Sequence, residues 1–313
     1  MADFKIITSD LVKKDCNRRI LALGTFDGVH IAHKSLIEEA VSLKNRLSAD
    51  SVGAWCFSDS PLAYLKGISV PNLTDTEEKI SIMISFGLDT VAIGEFKDFC
   101  SLSAEDFIDE ILKKRLNCVG VVCGFNHRFG KMGRGDAALL QKSFGEENVV
   151  VVPEMKLDGE TVSSTAIREY IQSGDIERAN AILGRPFSFT SDVVNGKKLG
   201  RQMGFPTANQ FFPASLATPK NGIYATECTL ENGKKYYGVS NVGIRPTIVD
   251  GSDAHKVNCE TYIHDFSGDI YGKKLSVSFH KYLRPEKKFE SVDALKKQIA
   301  IDLDSALEYF KNK

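Results

Sequence analysis

Ile20-Leu21-Ala22-Leu23-Gly24-Thr25-Phe26-Asp27-Gly28-Val29-His30-Ile31-Ala32-His33 is the stretch that decides the fold of the first half of the chain. A short apolar run reads as a buried strand, two glycines mark a tight turn, and a pattern of helical period begins at His33. Outward from it, apolar runs recur at Val52–Phe57, Thr90–Ile93, Cys118–Cys123 and Val149–Val152. Helical patterns fall between them: His33–Leu47, Thr76–Phe86, Ala104–Leu116 behind a Ser103 cap, and Asp136–Phe144. Strand and helix in strict alternation predict an α/β domain, a doubly wound, Rossmann-like parallel sheet covered on both faces. Ligands of such sheets sit at the carboxyl ends of the strands.

Two more helical patterns follow, Ser164–Gln172 and Asp175–Leu183, and Gly184-Arg185-Pro186 then breaks the periodicity. The expected boundary is therefore near residue 184, with one domain over 1–184 and another over 185–313. Past it the chain reads as short alternating runs at Phe187–Val194, Gly222–Leu230, Lys235–Val242, Val257–His264 and Lys274–Tyr282, with a hairpin signal at Asn232-Gly233. Short strands without intervening helices predict a small antiparallel β-barrel. A C-terminal helix closes it, with Val292, Leu295, Ile299, Leu303, Leu307 and Phe310 at three- and four-residue spacing behind a Ser291 cap.

At 313 residues the chain can bury two cores. Forty basic against 41 acidic residues leave a formal net charge of −1, with no electrostatic footprint for wrapping a nucleic acid, so any anionic ligand must be held locally. Residues 1–10 carry charge and no apolar export segment, and no apolar run approaches a membrane span. Seven scattered cysteines without a C-x-x-C pair fit reduced thiols. A cytoplasmic enzyme of small molecules is the expectation, without membrane or nucleic-acid partners; the sequence leaves its oligomeric state open.

The turn Gly24–His30 delivers two histidines, three residues apart, to a helix start, where N–H groups and the helix dipole favour an anion. Imidazole donors there could stabilise charge building on a phosphoryl group; taken alone, the pair also reads as an ordinary helix entry. With Gly24, Phe26, Asp27 and Gly28 around it, the segment resembles the Gly-x-Phe-Asp-Gly-Val-His-x-Gly-His signature of the FAD synthetase module in the bacterial bifunctional riboflavin kinase/FAD synthetase family, Ala32 standing where the family has glycine. Gly124-Phe125-Asn126-His127-Arg128-Phe129-Gly130 is similar to the family's Gly-x-Asp-Phe-x-Phe-Gly, with Asn126 for the aspartate and His127 for the first phenylalanine. Ser163-Ser164-Thr165-Ala166-Ile167-Arg168 resembles its Ser-Ser-Thr-x-x-Arg element, which would hold the β- and γ-phosphates. The resemblance implies that His30, His33 and Arg168 stabilise adenylyl transfer from ATP to FMN, and that Gly24, Phe26, Asp27, Gly28, Gly124, Asn126, Ser163, Ser164 and Thr165 bind the substrates.

In the second half, Gly196-Lys197-Lys198-Leu199-Gly200-Arg201-Gln202-Met203-Gly204-Phe205-Pro206-Thr207-Ala208-Asn209 reads by itself as a glycine-containing loop able to point N–H groups at phosphates. The whole string closely resembles the riboflavin kinase motif Gly-x-x-x-Gly-Arg-x-x-Gly-Phe-Pro-Thr-Ala-Asn. Kinase-like pieces follow in order at 221–224, 238–247, 269–272 and 282–286. By that resemblance Thr207 and Asn209 are ligands of Mg²⁺ and the ATP phosphates, Glu260 is the general base on riboflavin, and Gly196, Gly200, Arg201, Gly204 and Arg284 make nucleotide or flavin contacts. The implied reactions are riboflavin plus ATP to FMN, then FMN plus ATP to FAD and pyrophosphate. Two alternatives stay open: a kinase whose adenylyl site is weakened by Ala32, Asn126 and His127, and a flavin- or nucleotide-binding regulator without turnover.

Overall fold

A computed structural model describes residues 4–8, 18–196, 204–244 and 257–313. The chain divides into two compact units, 1–164 and 165–313.

The first unit is built on a six-stranded sheet in the order Phe4–Thr8, Thr90–Gly94, Ser51–Phe57, Arg19–Leu23, Cys118–Gly124, Val149–Val152. All neighbours are parallel except Phe4–Thr8, which adds an antiparallel edge that the sequence reading did not anticipate. Period-two alternation along the central strand explains the double winding. Ile20 and Ala22 enter the core layer containing Leu36, Ile37 and Ala40 of helix Ile31–Leu47. Leu21 and Leu23 enter the opposite layer, with Ile108, Ile111 and Leu112 of the π-type helix Phe107–Arg115. Both layers are needed because the strand is buried on both faces, and each fully buried Leu or Ile stabilises the fold by about 1.5–3 kcal/mol. From Arg19–Leu23 the chain first lays strands to one side and then returns to lay Cys118–Gly124 on the other. That reversal leaves a crevice at the carboxyl ends of these two strands.

The second unit is a six-stranded antiparallel sheet in the order Thr207–Phe211, Val257–Ile263, Lys235–Ile244, Gly222–Leu230, Lys274–Arg284, Phe187–Asp192. One bridge, Val194 N–H to Asn209 C=O at 2.8 Å, joins the first and last strands of this order and closes the curl. Gly233 turns the Asn232-Gly233 hairpin at φ +79°, where an L side chain would be strained. The interior holds Phe187, Phe189, Phe212, Tyr224 and Phe279. Helix Val292–Lys311 lies on the face formed by Ile223, Ala225 and Val239, contributing Ala306, Leu303 and Phe310. The strand Thr207–Phe211 stands where the sequence reading has a phosphate loop.

Helix Ser164–Ser173, from Thr165 on, and helix Ile176–Leu183 group with the second compact unit. Asn180 explains this: its Nδ2 donates to Phe279 C=O at 2.8 Å, and its Oδ1 accepts the Phe187 N–H at 2.7 Å. Cys56, Cys100, Cys118, Cys123, Cys228 and Cys259 are free thiols; Cys16 lies outside the described residues. Among the described residues, no helix is long and apolar enough to cross a membrane.

Candidate active sites

The first cavity, about 410 Å³, opens at the sheet's reversal point and is lined by Gly24, His33, Trp55, Phe57, Gly124 and Asn126 among others. Its polar edge is the turn ahead of helix Ile31–Leu47. Phe26, Gly28 and Val29 take φ of +51°, +78° and +39°, so two non-glycine residues sit in left-handed backbone, at a cost on the order of 1–3 kcal/mol each. Several contacts hold this conformation. Phe26 and Val29 are fully buried. Asp27 Oδ1 accepts the Leu73 N–H at 2.8 Å, and Ser164 Oγ donates to the Asp27 carbonyl at 2.8 Å. The buried Lys79 ammonium donates to the carbonyls of Phe57 at 3.0 Å and Thr25 at 3.4 Å. The carboxylate of Asp27 is therefore a brace for the turn.

The same turn sets the histidines. His30 is the helix N-cap, its Nδ1 accepting the His33 N–H at 3.4 Å, and the two rings stack at 3.7 Å between centroids. Both are buried, with the Phe26 ring 5.0 Å from His33. Ala32 stands half-buried in the helix's first turn. Across the cavity Asn126 is exposed, and His127 stacks on Phe129 at 5.8 Å. Burial pushes the His127 imidazole down to about 4, so it is neutral at ordinary pH. Gly130 has φ +70°, and a Cβ there would lie 2.6 Å from the Ala104 Cα, so only glycine fits. Ser163 directly precedes helix Ser164–Ser173, on which Thr165 and Arg168 stand in the second unit. The apolar wall of Trp55, Phe57, Pro61, Leu65 and Phe96, and the buried Lys79, were missed by motif reading: an aromatic in a strand reads as core, and a lysine in a helix reads as solvent-facing.

The second cavity, about 340 Å³, lies between the sheet and helix Val292–Lys311. Thr207, Asn241, Glu260 and Arg284 give it polar character, and Phe205, Ile223, Val239, Phe289, Leu295 and Ile299 give it an apolar side. Strand register assembles the polar side: Asn209 pairs with Glu260 on one strand edge and Asn241 pairs with Glu260 on the other. Directly paired residues share a pleat face, so three side chains from distant sequence form one row. Thr207, two residues before Asn209, pairs with Tyr262 on that face. Asn258 Nδ2 donates to Glu260 Oε1 at 2.9 Å. Arg284 is held by a bidentate pair, Nε to Asp302 Oδ1 at 2.8 Å and Nη2 to Asp302 Oδ2 at 2.7 Å, and Gln298 also donates to Asp302 at 2.9 Å. Arg284 thus ties the helix to the sheet while its side chain lines the cavity.

A Cβ at Gly196 would lie 2.6 Å from Asn209 Nδ2, so the chain must pass the amide without a side chain. Gly204 turns at φ +86°. Gly200 and Arg201 lie outside the described residues. Among the described residues there is no cluster of three His, Cys, Asp or Glu side chains able to hold a metal ion. The hydroxyl of Thr207 and the carboxamide of Asn209 are neutral oxygen donors of the kind that complete a Mg²⁺ shell already supplied by nucleotide phosphates.

The chain matches the FAD synthetase family model over residues 12–166 and the riboflavin kinase family model over residues 183–310. It is 32% identical to the bifunctional riboflavin kinase/FMN adenylyltransferase of Bacillus subtilis, across 96% of each chain. Identity to the Escherichia coli protein of the same description is 34%, across 93% of this chain and 92% of that one. A crystal structure from Streptococcus pneumoniae described as a macrolide-efflux protein shares the fold, with TM-score 0.84, 27% identity and 96% coverage of both chains. Two catalytic modules found in this order, and relatives matched over nearly their whole length, leave one assignment: the chain belongs to the bifunctional riboflavin kinase/FMN adenylyltransferase family.

Proposed function

We propose that this chain phosphorylates riboflavin to FMN in its second unit and adenylylates FMN to FAD in its first. The observation that carries the reading is one chain with two separate cavities, each facing groups suited to one phosphate chemistry.

In the kinase step Glu260 takes the proton of the ribityl 5′-hydroxyl as that oxygen attacks the γ-phosphorus of ATP, and ADP leaves. The apolar side of the cavity takes the flavin ring. Thr207 and Asn209 would hold Mg²⁺, which when bound neutralises phosphate charge. Gly196, Gly200, Arg201 and Gly204 bring backbone and charge to the nucleotide, and Arg284 contributes to the flavin side.

In the adenylyl step an FMN phosphate oxygen attacks the α-phosphorus of ATP, and pyrophosphate leaves. His30 and His33 stabilise charge on the reacting phosphates, aided by the N-terminus of their helix. Arg168, with Ser163, Ser164 and Thr165, neutralises the departing pyrophosphate, so the functional boundary is best drawn near 184, after their helix. Gly24, Phe26, Asp27 and Gly28 shape the turn; Gly124 and Asn126 face the substrate.

A cytoplasmic setting, with small-molecule partners and no nucleic acid or membrane, belongs to the same proposal and is supported by a net charge of −1. Incubation with riboflavin, ATP and Mg²⁺ followed by separation of flavins should give FMN and then FAD. Absence of both products would refute the proposal, and FMN alone would confine activity to the second unit.

A further inference from the structure

We infer that Asn258 is the positioning residue of the kinase step, fixing the Glu260 carboxylate for proton abstraction; this rests on the reading of Glu260 as general base. Strand Val257–Ile263 alternates. Cys259, Thr261 and Ile263 turn into the interior, while Glu260 and Tyr262 face the cavity. Asn258, one pleat period before Glu260, shares the Glu260 face but is only 5% exposed. It is built beneath the site rather than into it.

The hydrogen bond from Asn258 Nδ2 to Glu260 Oε1, 2.9 Å, is the one side-chain hydrogen bond to Glu260 among the described residues. The other end of the amide gains nothing: Asn258 Oδ1 is buried without a partner among the described residues. A buried amide with an unsatisfied acceptor is a cost to the fold, and an apolar side chain would avoid it. The donation to Glu260 accounts for keeping an amide there.

The neighbours show what the bond prevents. Asn258 pairs across the strands with Phe211 and Gly243, neither of which offers a side-chain donor. A Cβ on Gly243 would lie 2.6 Å from Glu286 Oε1, so a second carboxylate lies beside that glycine and, with Glu260, lines the cavity. Two cations line the cavity: Arg284 is paired with Asp302, and Lys287 Nζ donates to Gln298 Oε1 at 2.7 Å. The donor to Glu260 is instead the neutral amide of Asn258. It holds one carboxylate oxygen and leaves the other oriented toward the hydroxyl, and a base acts only within hydrogen-bond reach of its proton.

The test is steady-state FMN formation by Asn258→Ala and Asn258→Leu, each alone and in a Glu260→Gln background. Asn258→Leu removes the unsatisfied acceptor with the donor, so it should melt no lower than the wild type and keeps the test valid if the alanine variant folds poorly. The expected result is a loss of about tenfold or more in kcat, KM for riboflavin and ATP changed less than about twofold, and no further loss in the Glu260→Gln background. Unchanged kcat in a folded Asn258 variant, or an equal loss in both backgrounds, overturns the inference while leaving Glu260 in its role. Full turnover by Glu260→Gln alone overturns the base and Asn258 with it.

Discussion

In the first unit the histidines proposed to stabilise the reacting phosphates come from one stretch: the turn Gly24 to His30 and the first residues of the helix it opens. In the second unit the polar side chains of the site come from different strands, Thr207 and Asn209, Asn241, and Glu260, and become neighbours only through sheet register. The two sites also store their precision differently. The first depends on a strained backbone braced by Asp27 and Lys79. The second depends on a flat row of side chains whose aim is set by hydrogen bonds and whose roof is a separate helix. A helix terminus concentrates its donors within a few residues, whereas a strand presents only every second residue and must borrow the rest from its neighbours.

That contrast can be broken by substitution. The largest effect is expected for Glu260→Gln, which removes the only proposed base: FMN formation should fall roughly 10²–10⁴-fold in a flavin assay, while FAD formation from supplied FMN is retained. His33→Ala should lower FAD formation by about 100-fold and leave riboflavin phosphorylation intact, measured in the same assay. The smallest effect on chemistry and the clearest on stability is expected for Asp302→Ala. It leaves the guanidinium of Arg284 without its bidentate partner and should destabilise the second unit by about 3 kcal/mol in denaturant unfolding, without shifting the first. Unchanged unfolding of the second unit would mean that this pair does not hold the helix to the sheet.

The histidine turn of the first site was legible in the sequence because its parts are contiguous. Gly24, Gly28, His30 and His33 carry a strand, a turn and a helix start in one reading, and the alternating strands and helices around them gave the sheet. The antiparallel edge Phe4–Thr8 was not legible: five residues beside a charged N-terminus carry no strong period. Nor was the strand Thr207–Phe211, whose polar Thr-Ala-Asn-Gln run follows a proline and reads as a loop until pairing with Val257–Ile263 satisfies its backbone. Lys79 and Asp302 were invisible for a different reason. A charge on a helix pattern is normally solvated, and only tertiary partners, carbonyls for one and Arg284 for the other, make burial tolerable. Resemblance to a family singled out Glu260, but not the amide that aims it.

The most direct test of two independent sites in one chain is to mix the Glu260→Gln and His33→Ala variants with riboflavin, ATP and Mg²⁺ and follow flavins over time. Neither variant alone should make FAD at more than a small fraction of the wild-type rate, and the mixture should restore it, the His33 variant supplying FMN to the intact adenylyl site of the other. If the His33 variant fails to accumulate FMN, or the Glu260 variant fails to make FAD from supplied FMN, or the mixture makes no FAD although each retains its own step, the two steps do not belong to the two sites described.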